Sequence, residues 1–256
     1  MYNEFAPTAD TLFLLVLSIL TLESVHFIRF LYQHFLSGIT TKSLNTFYHA
    51  CSYAKVDSSH FMNITAKVAL RMIPDSLATQ PIFLCVDDTM VAKAGTRFEN
   101  VSKLFDHAAH NGSNYLNGHC FVSIMLCIPV WKNDRVSYLS LPLGYRMWQK
   151  KESKLELAAS MIRQVMPEFQ EKKQVIILCD SWYTKRNLVS IVDEYLNLDL
   201  IGNARIDSVM YAPAHTGRRG RPAKHGKRLS VETDFAFSNE KIGDYYIGAH
   251  RVITNL

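Results

Sequence analysis

Gln80-Pro81-Ile82-Phe83-Leu84-Cys85-Val86-Asp87-Asp88-Thr89 is the stretch on which the reading of this chain turns. A proline closes what precedes it, and an unbroken apolar run then meets two aspartates. Such a short run, bounded by polar residues, is expected of a strand buried on both faces. Gln174-Val175-Ile176-Ile177-Leu178-Cys179-Asp180 repeats the pattern further along. Each predicted strand delivers an aspartate where its apolar run ends.

The sequence between and beyond these strands fills in an α/β pattern. A long polar loop is expected over about residues 94–117. Two strands follow over 120–131 and 135–148, with Lys132-Asn133-Asp134 supplying hairpin turn chemistry. Residues 150–169 predict an amphipathic helix, because Leu155, Ala158, Ala159, Ile162, Val165, Met166 and Phe169 recur at helical spacing. After Asp180 a second helix is expected over about 185–197, with Leu188, Ile191, Val192 and Tyr195 on one face. A short strand over 198–203 follows. A helical crossover between parallel strands is almost always right-handed. One compact solution then lays the Asp180 strand beside the Asp88 strand, the topology of an RNase H-like mixed sheet with flanking helices.

Upstream, residues 11–73 carry apolar side chains at helical spacing, for example Phe27, Phe30, Leu31, His34 and Phe35, then Ile64, Val68 and Met72. A small helical N-terminal region over 1–78 is therefore expected, followed by the core over 79–205. Residues 206–256 read as the start of a basic, β-rich insertion. The apolar run over 11–22 is shorter than the roughly 20 residues that span a bilayer. It also lacks a basic leader and a small-residue cleavage site. A buried helix is the expectation, with no membrane partner.

At 256 residues the chain can bury one good core. The formal charge of +5 is concentrated: Arg218, Arg219, Arg221, Lys224, Lys227 and Arg228 fall between Thr216 and Arg228 with no acid among them. A compact basic cluster suits a polyanion partner better than general solubility. The five cysteines form no C-x-x-C pair. They read as reduced, buried thiols of a cytosolic protein rather than a disulfide frame or a zinc site.

Neighbouring strands lie about 4.8 Å apart, so carboxylates at matching heights can share a pair of metal ions about 3.5–4 Å apart. Cations remove the repulsion that two such like charges would otherwise feel. Mg²⁺ prefers oxygen ligands and tolerates partial hydration. A pair of such ions activates a water or a DNA 3′-hydroxyl and stabilises the leaving oxygen of an in-line phosphoryl displacement. Strand-end aspartates are also ordinary exposed turn residues; two on matched strands weaken that alternative without removing it.

Val86-Asp87-Asp88-Thr89 and Leu178-Cys179-Asp180-Ser181-Trp182-Tyr183 resemble the first and second acidic motifs of bacterial insertion-sequence transposases of the DDE superfamily, whose catalytic core is RNase H-like. Leu200-Ile201-Gly202-Asn203-Ala204-Arg205, then Gly220-Arg221-Pro222 and Gly226, resemble the stretch that follows the second motif there. The similarity spans about residues 80–230. It implies Asp88, the acid directly before the threonine, as first metal ligand, with Asp87 the less favoured candidate and Asp180 as second ligand. It further implies a two-metal Mg²⁺ or Mn²⁺ site and Mg-dependent strand cleavage and transfer. The implied partner is double-stranded DNA, as terminal repeats and target, met by a cytoplasmic, nucleoid-associated protein with more than one subunit. The family pattern also calls for a glutamate on a later helix. Glu232, Asp234, Glu240 and Asp244 stand among strand-like sequence instead, and the chain reads as stopping inside the insertion with an incomplete catalytic set.

Arg219-Gly220-Arg221-Pro222 matches the core of an AT-hook, in which arginines enter a narrow minor groove. A basic loop touching phosphates without reading sequence is the alternative. His107, His110 and His119 lie in or beside the long loop, at spacing that matches no compact zinc pair. Trp182 and Tyr183 either stack on an extruded base or pack under the next helix. An aspartyl-nucleophile phosphohydrolase needs a second acid two residues past the first, where this chain has Thr89 or Met90. A catalytically inactive remnant that only binds DNA is the non-enzyme alternative.

Overall fold

The computed structural model describes residues 6–22, 27–54, 57–95, 97–105, 114–169, 173–204, 207–214 and 223–254. The chain divides into two compact units, residues 1–57 and 58–256.

The first unit is helical, as its spacing predicts. It contains α1 (Ala6–Thr21), α2 (Ile28–Leu31), α3 (Ser37–Ile39) and α4 (Leu44–Tyr53), with a π-helical turn at Tyr32–Leu36 joining α2 to α3. Its core gathers Leu15, Leu31, Leu36 and Phe47. The helix expected to be buried over 11–22 is buried along one face only. Thr11, Leu15 and Ser18 form one buried face, while Phe13, Val16, Ile19 and Leu20 are exposed.

The second unit opens with α5 (Ser58–Arg71), which packs on the sheet and on the long helix that follows it in sequence. Its main sheet contains β1 (Ile82–Ala92), β2 (Ser102–Phe105), β3 (Tyr115–Lys132), β4 (Arg135–Met147), β5 (Val175–Cys179) and β6 (Leu198–Gly202). The strand order runs β2-β3-β1-β5-β6, with β4 also paired to β3. β1 is antiparallel to β3 and parallel to β5, which is parallel to β6. Three antiparallel strands followed by two parallel ones, with β1 between the two groups, is the RNase H-like arrangement that the alternation of elements implies.

Local chemistry explains the pieces. Asn133 and Asp134 both hold positive φ, 51° and 58°. Such a two-residue turn matches the twist of the strands it joins. Helix α6 (Lys154–Val165) begins four residues after the start expected from periodicity, because a capping box at Ser153 fixes it there. The Ser153 hydroxyl accepts from the Glu156 backbone N–H, and the Glu156 carboxylate accepts from the Ser153 N–H. The buried stripe of α6 then shares one core with Ile82, Leu84 and Val86 of β1, Val122, Ile124, Leu126 and Ile128 of β3, and Val175 and Ile177 of β5.

Several boundaries differ from expectation. β1 does not stop at its aspartates; it continues to Ala92, because antiparallel pairing with β3 persists to Ala92↔Gly118 after parallel pairing with β5 has ended at Val86↔Cys179. The polar loop over 94–117 contains β2, which pairs Leu104 with Leu116. The helix expected over 185–197 is only α7 (Arg186–Val189), prolonged by a 3₁₀ turn at Ser190–Glu194. The last stretch holds short strands, β7 (Met210–Tyr211), β8 (Arg228–Leu229), β9 (Phe237–Ile242), β10 (Tyr245–Gly248) and β11 (Ile253–Thr254), together with the one-turn helix α8 (Val231–Asp234). Glu232 and Asp234 therefore sit in a helical turn rather than in a strand. The cysteines are free, but not uniformly buried: Cys51 is exposed, and Cys85 and Cys179 are half-buried. No described helix is long and apolar enough to cross a membrane.

Candidate active site

Side-chain alternation decides which aspartate of β1 can do chemistry. Ile82, Leu84 and Val86 point to the helix-covered face and are buried. Asp88 is the next residue on that face, at the point where the core opens. Asp87 belongs to the opposite face, and its Oδ1 turns back to accept from the Asp88 N–H at 2.8 Å. Asp180 is the first residue after β5, one step beyond the Val86↔Cys179 pair.

Asp88 is held from several directions. Its Oδ2 accepts from Lys154 Nζ at 2.5 Å and from the Cys120 thiol at 3.2 Å, and its Oδ1 accepts from the Tyr183 hydroxyl at 3.5 Å. Asp180 is held by its own turn: Oδ1 accepts from the backbone N–H groups of Trp182 at 3.0 Å and Tyr183 at 3.2 Å. Tyr183, fully buried, thus touches both carboxylates, one through its backbone and one through its ring. Gly202 at the end of β6 lets this turn approach, since a Cβ there would lie 2.3 Å from the Thr184 methyl. The Thr184 hydroxyl in turn donates to the Asn203 carbonyl at 2.7 Å.

The electrostatics keep the neutral donors neutral. Burial, then the Asp88 charge, pushes the Tyr183 hydroxyl well above the usual phenol range. Burial and the hydrogen bond to Asp88 push the Cys120 thiol up to about 11. Burial, reinforced by the Asp180 charge, raises Cys179 to about 11 as well. Burial opposes the charge on Lys154, but the hydrogen bond and charge of Asp88 outweigh it, and its pKa is raised.

Asp88 and Asp180 line one open cavity of about 630 Å³. Lys103, Lys150, Lys154 and Lys185 line it too, as do Trp148 and Trp182. The lysines and indoles alternate. Lys150 lies over Trp148, Lys154 over both Trp148 and Trp182, and Lys185 over Trp182, at 4.5–5.9 Å from the ring centres. Such interleaving of cations and aromatic faces suits a phosphate backbone with bases beside it. Sequence reasoning missed Lys154, Trp148 and the other lysines. The signal for Lys154 was the Ser153-x-x-Glu156 capping box, which places it at the first position of α6.

Among the described residues no group of three or more His, Cys, Asp or Glu side chains gathers as a ready metal cage. Two carboxylates nevertheless fit Mg²⁺ or Mn²⁺, which are commonly held by one or two carboxylates plus substrate phosphate oxygens and water. The ammonium on Asp88 already marks that carboxylate as a cation position. Asp234 is engaged elsewhere, in an ion pair with Lys227, and neither it nor Glu232 or Asp244 lines the cavity.

Of the basic cluster, Lys224, Lys227 and Arg228 are exposed. Arg218, Arg219 and Arg221 lie outside the described residues, as do His107 and His110. A ring nitrogen of His119 meets the Glu99 carbonyl at 2.8 Å.

A family model described as "DDE superfamily endonuclease" matches residues 38–241, and the chain belongs to that family. No curated protein matches. Among solved structures, the Drosophila P element transposase strand transfer complex is similar at a TM-score of 0.36 and 10% identity, over 79% of this chain and 42% of that one. The Mos1 strand transfer complex gives 0.26 and 13%, over 78% and 58%. The Mos1 mariner paired end complex with Mn gives 0.26 and 13%, over 78% and 60%. The chain spans about two fifths to three fifths of the length of these proteins.

Proposed function

We propose that this chain carries the catalytic core of a DNA transposase, cutting and joining strands at transposon ends with Asp88 and Asp180 as metal ligands. The observation that carries the reading is the convergence of both aspartates, from adjacent parallel strands, on one lysine-lined cavity. Membership of an endonuclease family and the resemblance of both acidic motifs to those of insertion-sequence transposases support the same chemistry.

Two Mg²⁺ or Mn²⁺ ions held by Asp88 and Asp180 would activate the attacking water or 3′-hydroxyl and stabilise the leaving oxygen. The protein's own residues do the positioning. Tyr183 and Cys120 fix the rotamer of Asp88, and the Asp180 turn fixes its carboxylate. Lys103, Lys150 and Lys185 draw the phosphate backbone into the cavity, where Trp148 and Trp182 offer faces for bases. The cluster Arg218, Arg219, Arg221, Lys224, Lys227 and Arg228 contacts further phosphates, a sequence-independent anchor on double-stranded terminal repeats and target. Cutting two ends in concert calls for more than one copy of the chain.

A binding-only remnant is the second reading, favoured by the engagement of Asp88 with Lys154 and by the lack of a third acid along the cavity among the described residues. Nicking of supercoiled DNA carrying the element's ends separates the two. Mg²⁺-dependent cleavage lost in both Asp88→Ala and Asp180→Ala is the expected result. DNA binding with no cleavage under any divalent metal supports the remnant instead.

A further inference from the structure

The geometry points to Lys154 as a positioning residue that acts as a resident counter-cation, holding Asp88 in the metal-free protein and yielding its Oδ2 to the divalent ion. This inference rests on the reading of Asp88 as a metal ligand.

Lys154 is not placed to serve its own helix. It occupies the first position of α6, where the helix dipole favours an anion and a lysine is the wrong charge. The capping box at Ser153 anchors the backbone there, so the ammonium reaches Asp88 from a rigid base. Both partners are largely enclosed, with side chains 15% and 16% exposed. By contrast, the Lys67–Glu168 and Arg163–Glu194 pairs each leave the cationic side chain about half exposed, at 57% and 46%, as surface ion pairs do.

The exchange also has a place to leave the displaced charge. Lys154 Nζ lies 5.6 Å from the Trp148 ring centre and 5.0 Å from that of Trp182. When Oδ2 is taken, the ammonium keeps these two aromatic faces, and it remains in the cavity beside any bound phosphate. Asp88 is therefore never left as an enclosed carboxylate without a cation, which would be costly. The Cys120 thiol on the same oxygen is neutral and cannot play this part.

Mn²⁺ binding to the full chain, followed by quenching of tryptophan fluorescence and by the loss of free-ion electron paramagnetic resonance signal, tests the exchange. Lys154→Met keeps the length of the stem but removes the competing charge, and it is expected to bind Mn²⁺ roughly tenfold more tightly, at the low end of what close charge pairs are worth. Lys154→Gln should tighten binding in the same direction, which guards against a folding defect peculiar to methionine. Lys154→Arg should stay close to the parent. Asp88→Asn should abolish the high-affinity site in every background. Unchanged or weaker Mn²⁺ affinity in both neutral variants, with Asp88→Asn still abolishing binding, would overturn the exchange while leaving Asp88 a ligand. Equal Mn²⁺ binding with and without Asp88 would overturn the ligand reading and this inference together.

Discussion

The two faces of β1 have the same neighbours in sequence and different fates. On one, Ile82, Leu84 and Val86 are buried in the core that the sheet shares with α5 and α6, and the row continues into Asp88, which collects a lysine, a thiol and a phenol. On the other, Phe83 meets Tyr138 edge-on at 4.8 Å, and the Cys85 and Cys127 thiols lie 3.6 Å apart. That row continues into Asp87, which is exposed and accepts from the neighbouring Asp88 N–H. Adjacent aspartates thus differ by a half-turn of the pleat. A carboxylate becomes a candidate ligand when it is the last member of the buried row, where packing holds its rotamer and the core opens.

The largest expected effect tests that difference directly. Asp88→Asn should lower strand cleavage by more than the roughly 10–100-fold that loss of an outer partner of a metal costs, while Asp87→Asn should change it by less than about threefold. Equal losses in the two variants, measured as initial nicking rates, would erase the distinction between the faces.

Stability should follow the same divide. Leu84→Ala opens a cavity in that core and is expected to cost about 2–5 kcal/mol. Phe83→Ala on the half-buried face should cost about 1–2 kcal/mol. Urea unfolding of the two variants side by side measures the contrast.

Smaller again is the cap that sets where α6 begins. Ser153→Ala should cost about 0.5–2 kcal/mol, and it should loosen the base from which Lys154 reaches Asp88. The partner of that cap gives the faintest signal, one that depends on pH. Hydrogen bonds from the Ser153 N–H and hydroxyl hold the Glu156 carboxyl below its ordinary value. A depressed carboxyl stabilises the fold above its unfolded pKa and loses that contribution as pH falls through the folded value. The melting temperature of Glu156→Ala should therefore fall below that of the parent at neutral pH, and the gap should close below about pH 4.

Much of this was legible in the sequence because it is local. Continuous apolar runs marked β1 and β5, Asn133-Asp134 marked the hairpin, and the stripe from Leu155 to Val165 marked α6. What escaped depends on partners far along the chain. β1 runs past Asp88 to Ala92 only because β3 continues beside it, and β2 is a strand only because residues 115–118 pair with it. Helix α5 belongs with the sheet through contacts with β4 and α6, which no periodicity in residues 58–71 announces. The two acids of the site were readable as strand ends. Of its lysines and indoles only Trp182 stood out, as a neighbour of Asp180; Trp148 and Lys154 line the cavity from elements that only the folded sheet brings alongside Asp88.

Whether Asp88 and Asp180 grip the same cations is read from an anomalous difference map of crystals soaked in Mn²⁺. Density is expected within coordination distance of both carboxylates, with Lys154 Nζ moved off Asp88 Oδ2. Manganese bound to one aspartate alone, or only at sites remote from this cavity, would contradict it.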